Sequence, residues 1–323
     1  LSVTAIIPAY NAELTLTRSV DSLLAVTGCE LDIILVDNNS EDKTLNIMKS
    51  SVAKAPGKVK LFKSVIQGVC AARNLGLQHA GGRWIQFLDA DDTIAPDKIS
   101  HQLEKIDSDT KWVIGGYRIV SPGQEDVDNI PHEDPWKGLV YQYRIGCTHA
   151  NLYRKTALET IGGWDESLPD NTDPNLHFEL LKAGLKYQVI PEILSFYHQH
   201  PSPHRLSKKA PIASNLRRID LLERVNDYLC EHRPDYWSTN QDYFLAALLR
   251  ALRILATHDL NAASLQFEHL QQAGKISINL PNQSIISKKI LSAYRIAGFI
   301  AVERLRLVAA NVLPSGVKEW LKR

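Results

Sequence analysis

The chain has 323 residues, 44% of them apolar and 23% charged, with a formal net charge of +1. This is the composition of a globular protein, and it gives no global signature of nucleic-acid binding. Cys29, Cys70, Cys147 and Cys230 are scattered and form no C-x-x-C pair, which argues against a disulfide framework or zinc site and for a reduced, cytosolic setting. No uninterrupted apolar stretch reaches the ~18 residues that span a bilayer. Leu1-Ser2-Val3 opens in strand-like sequence with no basic region before it, so no signal peptide is expected.

In chain order, Val3 to Ile7 is a β-branched run closed by Pro8, and Leu14, Leu16, Val20, Leu23 and Leu24 follow at helical spacing. Asp32 to Val36 is the next apolar run. "DNNSED" after it is turn chemistry, with Ser40 to Lys43 suited to an N-cap with acids in the first turn. Val59 to Phe62 reads as a third strand. Gln67 to His79 reads as a helix stopped by Gly81-Gly82. Trp84 to Leu88 and Trp112 to Tyr117 read as further strands, and Pro96 suits the first position of the helix between them. This alternation predicts an α/β domain with a largely parallel sheet covered on both faces. Residues from Ser121 to Trp136 are rich in Pro, Gly, Asp and Glu and read as a loop excursion. From Leu206 onward Leu, Ala, Arg and Glu recur at helical spacing, predicting a separate helical region over 206–323 after a first domain over 1–205.

In open α/β sheets ligands bind beyond the carboxyl ends of the strands, where Asp37 and Asp89 stand. Asp89, Asp91 and Asp92 form a D-x-D-D cluster. Two such carboxylates suit Mg2+ or Mn2+ on a diphosphate, and an Asp-rich turn capping the next helix accounts for the same residues. An EF-hand is excluded, because Ile94 stands where the loop needs Gly and Ser100 where it needs Glu. Arg73, in a helix near the same edge, suits a phosphate or a carboxylate, or else simply snorkels at the surface. Asp173 stands at the start of an apolar helix, as general base or as mere N-cap, with Asp165 and Asp170 competing for the first role. His198, His200 and His204 are candidate metal or phosphate contacts, but no H-E-x-x-H helix accompanies them.

The ordered blocks "VTAIIPAYNAELTLTRSVDSLL", "DIILVDNNSEDKT", "GVCAARNLGLQHAGGRWIQFLDADD" and "GGWDESLP" with a later Asp closely resemble the inverting family-two glycosyltransferases of GT-A fold, over roughly residues 2 to 205. The resemblance implies a Rossmann-like nucleotide-diphospho-sugar transferase domain, a divalent metal (Mg2+ or Mn2+), a nucleotide-sugar donor (a UDP-sugar favoured) and a saccharide or lipid-linked acceptor. It implies that Pro8, Ala9 and Tyr10 line the nucleotide pocket, that Asp37 bonds the base, and that Arg73 lies near the nucleotide. It further implies that Asp89 approaches ribose and sugar, that Asp91 and His200 hold the metal, and that Asp173 is the catalytic base. Three departures from the family pattern are Asn38 after Asp37, Thr172 in place of the Glu preceding the base, and Asn175 two residues after it.

Two other classes fit parts of the sequence. A catalytically silent nucleotide-sugar-binding scaffold needs only the donor site. A nucleotidyltransferase needs a Gly-rich basic phosphate loop that "IIPAYNAE" lacks. In the last segment Lys288, Lys289, Arg295, Arg304, Arg306, Lys318, Lys322 and Arg323 outnumber Glu303 and Glu319, with Trp320 and aliphatic residues interleaved. Such a stretch suits an anionic membrane surface at the inner face of the cell membrane, or packing within the protein or against a second copy.

Overall fold

The computed structural model describes residues 2–200, 210–280 and 285–312, in two units, Leu1–His204 and Arg205–Arg323. The first unit begins with β1 (Ser2–Ala9), α1 (Leu16–Leu24), β2 (Glu30–Asp37), α2 (Thr44–Lys54), β3 (Val59–Lys63), α3 (Val69–His79) and β4 (Trp84–Phe87). These strands lie in the order β3-β2-β1-β4, all parallel. Ala5, Ile6, Ile7, Ile33, Leu35, Ile85 and Phe87 are fully buried in them. Burying each large aliphatic side chain contributes about 1.5–3 kcal/mol, which makes a β-branched run between two helical layers a stable centre. Helix α1 buries Leu16, Val20 and Leu23, one face at i, i+4 and i+7. Helix α3 approaches β1 closely because residue 76 is glycine, where a Cβ would stand 2.4 Å from Ile6 Cγ2.

The rest of the unit runs β5 (Thr93–Ile94), α4 (Lys98–Glu104), β6 (Trp112–Val120), β7 (Val127–Asn129), α5 (Pro135–Val140), β8 (Leu152–Arg154), α6 (Lys155–Thr160), α7 (Thr172–Lys182) and β9 (Tyr187–His198). The sheet continues past β4 as β8-β6-β9-β5, with β7 also on β6. Here the largely parallel expectation needs correction. β8 is antiparallel to both β4 and β6, β7 to β6 and β5 to β9, and only β6 and β9 are parallel. An apolar run signals burial but carries no information about strand direction.

Four local expectations also change. The 121–136 stretch holds strand β7 and the first residues of α5, whose N-cap Asp134 accepts from Trp136 N and Lys137 N. Pro96 precedes α4 instead of opening it, and Asp97 is the cap. Helix α2 has no acid in its first turn; Asp42 accepts from Thr44 N in the preceding turn. Asp173 is not the N-cap of α7; that position is Asn171, in the left-handed region at φ 54°, and Asp173 lies in the first turn.

The second unit contains α8 (Pro211–His232), α9 (Pro234–His258), α10 (Leu260–Gln272), α11 (Lys288–Ala297) and α12 (Phe299–Val312). None of the described helices is long and apolar enough to cross a membrane. Glu303 is fully buried and is met by Arg253 Nε at 3.2 Å, Arg306 at 2.6 Å and the Tyr294 hydroxyl at 2.5 Å. Arg295 donates to Leu280 O. Arg295 and Arg306 each bond within the unit, which fits the packing alternative for these two residues. Lys318, Glu319, Trp320, Lys322 and Arg323 lie outside the described residues.

Candidate active site at the carboxyl edge of the sheet

The carboxyl ends of β1 and β2 are level, with Ala9 opposite Asp37. The loops that follow brace each other: Asn38 N donates to Ala9 O, Ala12 N to Thr44 Oγ1 and Glu41 N to Asn11 Oδ1. Pro8 and Ala9 are buried and Tyr10 is exposed beyond them. Asp37 is fully buried. Its Oδ1 accepts from Ser40 N at 3.0 Å, and its Oδ2 has no hydrogen-bond partner among the described residues. A buried carboxylate oxygen left unbonded is costly, so this one suits a donor group supplied by a ligand. Asn38, the departure next to it, accepts from Gly68 N at the head of α3.

Arg73 is 3% exposed and joins two distant carboxylates. Its Nη2 is 2.7 Å from Asp89 Oδ1 and its Nη1 is 3.4 Å from Asp173 Oδ1. The guanidinium lies 4.2 Å from the centre of the Trp164 ring. Asn74 fixes that ring by accepting from Trp164 N and donating to Trp164 O, and Gly163, at φ +77°, makes the tight approach to Asn74. Burial by itself weakens the charge on Arg73, but Asp89 and Asp173 outweigh it and raise its pKa.

Asp173, a quarter exposed, is held at both oxygens. Oδ2 accepts from Thr148 N at 3.0 Å and from the Thr148 hydroxyl; Oδ1 meets Arg73 and, at 3.3 Å, the Thr172 hydroxyl. Burial pushes its pKa up, yet Arg73, His177 and the Thr148 bonds prevail and lower it. Thr172 also accepts from Arg73 at 3.3 Å, and Asn175 donates to Asn171 O, so both departures from the family pattern have structural partners. The competing acids are otherwise occupied: exposed Asp165 accepts from Ser167 N and Oγ, and Asp170 accepts from Asn171 Nδ2.

The D-x-D-D acids separate by environment. Asp89 faces Arg73 with about a third of its side chain exposed. Asp91 Oδ2 is 2.8 Å from His200 Nε2, with both side chains partly exposed. Asp92 is fully buried 3.0 Å from His149 Nδ1 and accepts from His198 N; burial raises its pKa against the pull of His149. Asp92 and His198, whose ring meets Thr93 Oγ1, are thus braces behind the site. His204 lies outside the described residues. No group of three His, Cys, Asp or Glu that could hold a metal occurs among the described residues. The Asp91–His200 pair nevertheless fits two neighbouring positions of an octahedral ion, whose ligands at ~2.1 Å stand about 3 Å apart, with donor oxygens completing the shell. A groove of about 480 Å³ between α1 and α2 is lined by none of these candidates.

The sequence reading missed Thr148, His149 and Trp164 as parts of this site. Asn74 next to Arg73 was a usable signal, since a side chain that bonds two backbone groups of a distant turn fixes that turn.

Residues 4–162 match the family model "Glycosyl transferase family 2". The minor teichoic acid biosynthesis protein GgaB of Bacillus subtilis is 40% identical over 104 residues, 32% of this chain and 12% of that protein. The first three curated relatives are covered over only 40%, 60% and 12% of their own lengths. Among solved structures, S. aureus TarS 1-349 in complex with UDP-GlcNAc superposes with a TM-score of 0.61 at 15% identity, covering 96% of this chain and 92% of that one. A mannosyltransferase from Pyrobaculum calidifontis in complex with GDP-Man and Mn2+ gives a TM-score of 0.52 at 16% identity, covering 95% and 86%. At these identities the likeness is one of fold.

Proposed function

With its N-terminal unit belonging to glycosyl transferase family 2, this chain, we propose, transfers a sugar from a nucleotide-diphosphate donor to an acceptor hydroxyl with inversion at the anomeric carbon. A UDP-sugar is the favoured donor, and a growing cell-surface polysaccharide or lipid-linked saccharide the favoured acceptor. The naming of GgaB as a minor teichoic acid biosynthesis protein and the UDP-GlcNAc in the TarS complex support that choice. The observation that carries the reading is Arg73, which ties the strand-end acid Asp89 to Asp173, itself one hundred residues after Arg73. It draws a donor-side carboxylate and a candidate base to one point at the carboxyl edge of the sheet.

In this reading Asp37 Oδ2 accepts the N–H of the base, with Pro8, Ala9 and Tyr10 beside it, and Asp89 accepts from ribose or sugar hydroxyls. Asp91 and His200 hold a divalent ion, which supplies charge stabilisation to the leaving diphosphate. Asp173 receives the proton of the acceptor hydroxyl as that oxygen attacks the anomeric carbon from the face opposite the leaving group. One basic carboxylate suffices, in contrast to the acid and base pair of a glycoside hydrolase.

The test is calorimetric binding of uridine, guanosine and thymidine diphosphate sugars to the full chain, with Mn2+ and with chelator. One sugar nucleotide is expected to bind at least about tenfold more tightly with metal, and Asp91→Ala to remove that gain. Equal affinity in chelator, for wild type and variant alike, sinks the metal role.

A further inference from the structure

Cys147 to Asn151 is a connecting segment just before β8, yet it is buried except for partly exposed Cys147. Its peptide groups are fixed from several elements. His149 O accepts from Gln86 Nε2 at 3.0 Å and Ser195 Oγ at 3.2 Å, Ala150 O from Gln102 Nε2 at 2.9 Å, and Asn151 O from Lys98 Nζ at 3.2 Å. Asn151 Oδ1 accepts from Gly115 N. Side chains at Gly115 or Gly146 would collide with this segment, at 2.2 Å from Ala150 O and 2.1 Å from Asn151 Oδ1. Two successive residues of this fixed segment grip two acids of the site: Thr148 holds Asp173 and His149 holds Asp92.

The two oxygens of Asp173 are held unequally. Oδ2 takes both donors of Thr148, the backbone N–H at 3.0 Å and the hydroxyl. Among the described residues, Oδ1 has only the longer approaches of Arg73 at 3.4 Å and Thr172 at 3.3 Å. We infer that Thr148 is a positioning residue: it saturates Oδ2 and leaves Oδ1 as the atom that takes the acceptor's proton. This rests on the reading of Asp173 as the base. In the step itself the acceptor O–H proton passes to Oδ1, the acceptor oxygen bonds the anomeric carbon, and the bond from that carbon to the diphosphate oxygen breaks. Charged and titratable groups around Asp173 are Arg73 on α3 and His177 on its own helix; Cys70, Tyr117, Cys147 and Tyr153 also feel its charge. Thr148 differs from all of them in donating a neutral hydrogen bond to one chosen oxygen.

The test follows the Asp173 carboxyl signal of the full chain labelled with 13C-aspartate, assigned with Asp173→Asn, through a pH titration. A hydroxyl donated to a carboxylate favours its charged form, so Thr148→Val is expected to raise the Asp173 midpoint by about one pH unit, tenfold in proton affinity. Thr148→Ser, which keeps the hydroxyl, is expected to restore it to within ~0.3 unit. A Thr148→Val midpoint equal to wild type overturns the inference. Thr148→Ala serves where valine does not fold, and a wild-type midpoint at or above the ordinary ~3.9 of aspartate overturns it without any variant. Failure of the base assignment looks different: Asp173→Asn then keeps full turnover while the Thr148 effect on the titration persists.

Discussion

Arg73 carries one positive charge between Asp89 and Asp173, and the face of Trp164 covers it. A planar guanidinium has two ends to offer, whereas a lysine ammonium is a single point charge. Arg73→Lys is therefore expected to release one carboxylate, raise the Asp173 pKa and cut kcat by about 10²-fold or more. A pH profile of turnover checks this, its acid limb moving to higher pH. Asp37 makes a second prediction. Asp37→Asn keeps an oxygen for Ser40 N but puts an amide where the unpartnered Oδ2 stands. Affinity for a uridine diphosphate sugar is expected to fall at least ~10-fold, since a donor then faces a donor; unchanged binding by calorimetry would place the base elsewhere. Asp37 and Asp89 were legible in the sequence because each stands at the carboxyl end of an apolar strand. Thr148 was not: a lone threonine in a connection carries no pattern, and its partner is 25 residues away.

At the scale of elements, the polar groups that fix the 147–151 segment are themselves buried, Lys98 completely. Its ammonium meets Gln86 Oε1 and Asn151 O, and burial pushes its pKa from 10.5 down to about 7. Between those values the unfolded chain holds a proton that the folded chain has released. The penalty of burying Lys98 is thus full below about 7 and disappears as pH rises toward 10.5, so stability gains up to ~1.4 kcal/mol per pH unit in that window. Urea unfolding at pH 7 and pH 9 is expected to show this increment in wild type and not in Lys98→Met; equal slopes contradict it. In the helical unit, Glu303→Leu leaves Arg253 and Arg306 buried without their carboxylate. It is expected to cost about 3–5 kcal/mol by urea unfolding. Strand and helix order was readable from β-branched runs and helical spacing. The antiparallel placement of three-residue β8 was not, because pairing direction is decided by neighbours distant in sequence.

At the scale of the molecule, the candidate donor and base residues all come from the first unit, and family 2 membership rests on residues 4–162. The second unit exposes Ile296, Leu305 and Val308, apolar surface that suits a membrane-assembled acceptor or a second copy. Co-sedimentation with anionic vesicles, comparing the full chain with one ending near Gln283, separates these: loss of vesicle binding on truncation is expected for the membrane role, and equal binding contradicts it. The two-part expectation rests on the change in composition near residue 206, where the helical pattern lacks the aromatic and β-branched runs of a sheet. The decisive measurement for the site is Asp173→Asn, assayed for binding and turnover of the preferred sugar nucleotide. Donor affinity is expected to stay within about twofold of wild type while kcat falls at least ~10²-fold, the loss of a positioned base. Turnover equal to wild type would contradict this account and move the base to another acid, Asp170 first.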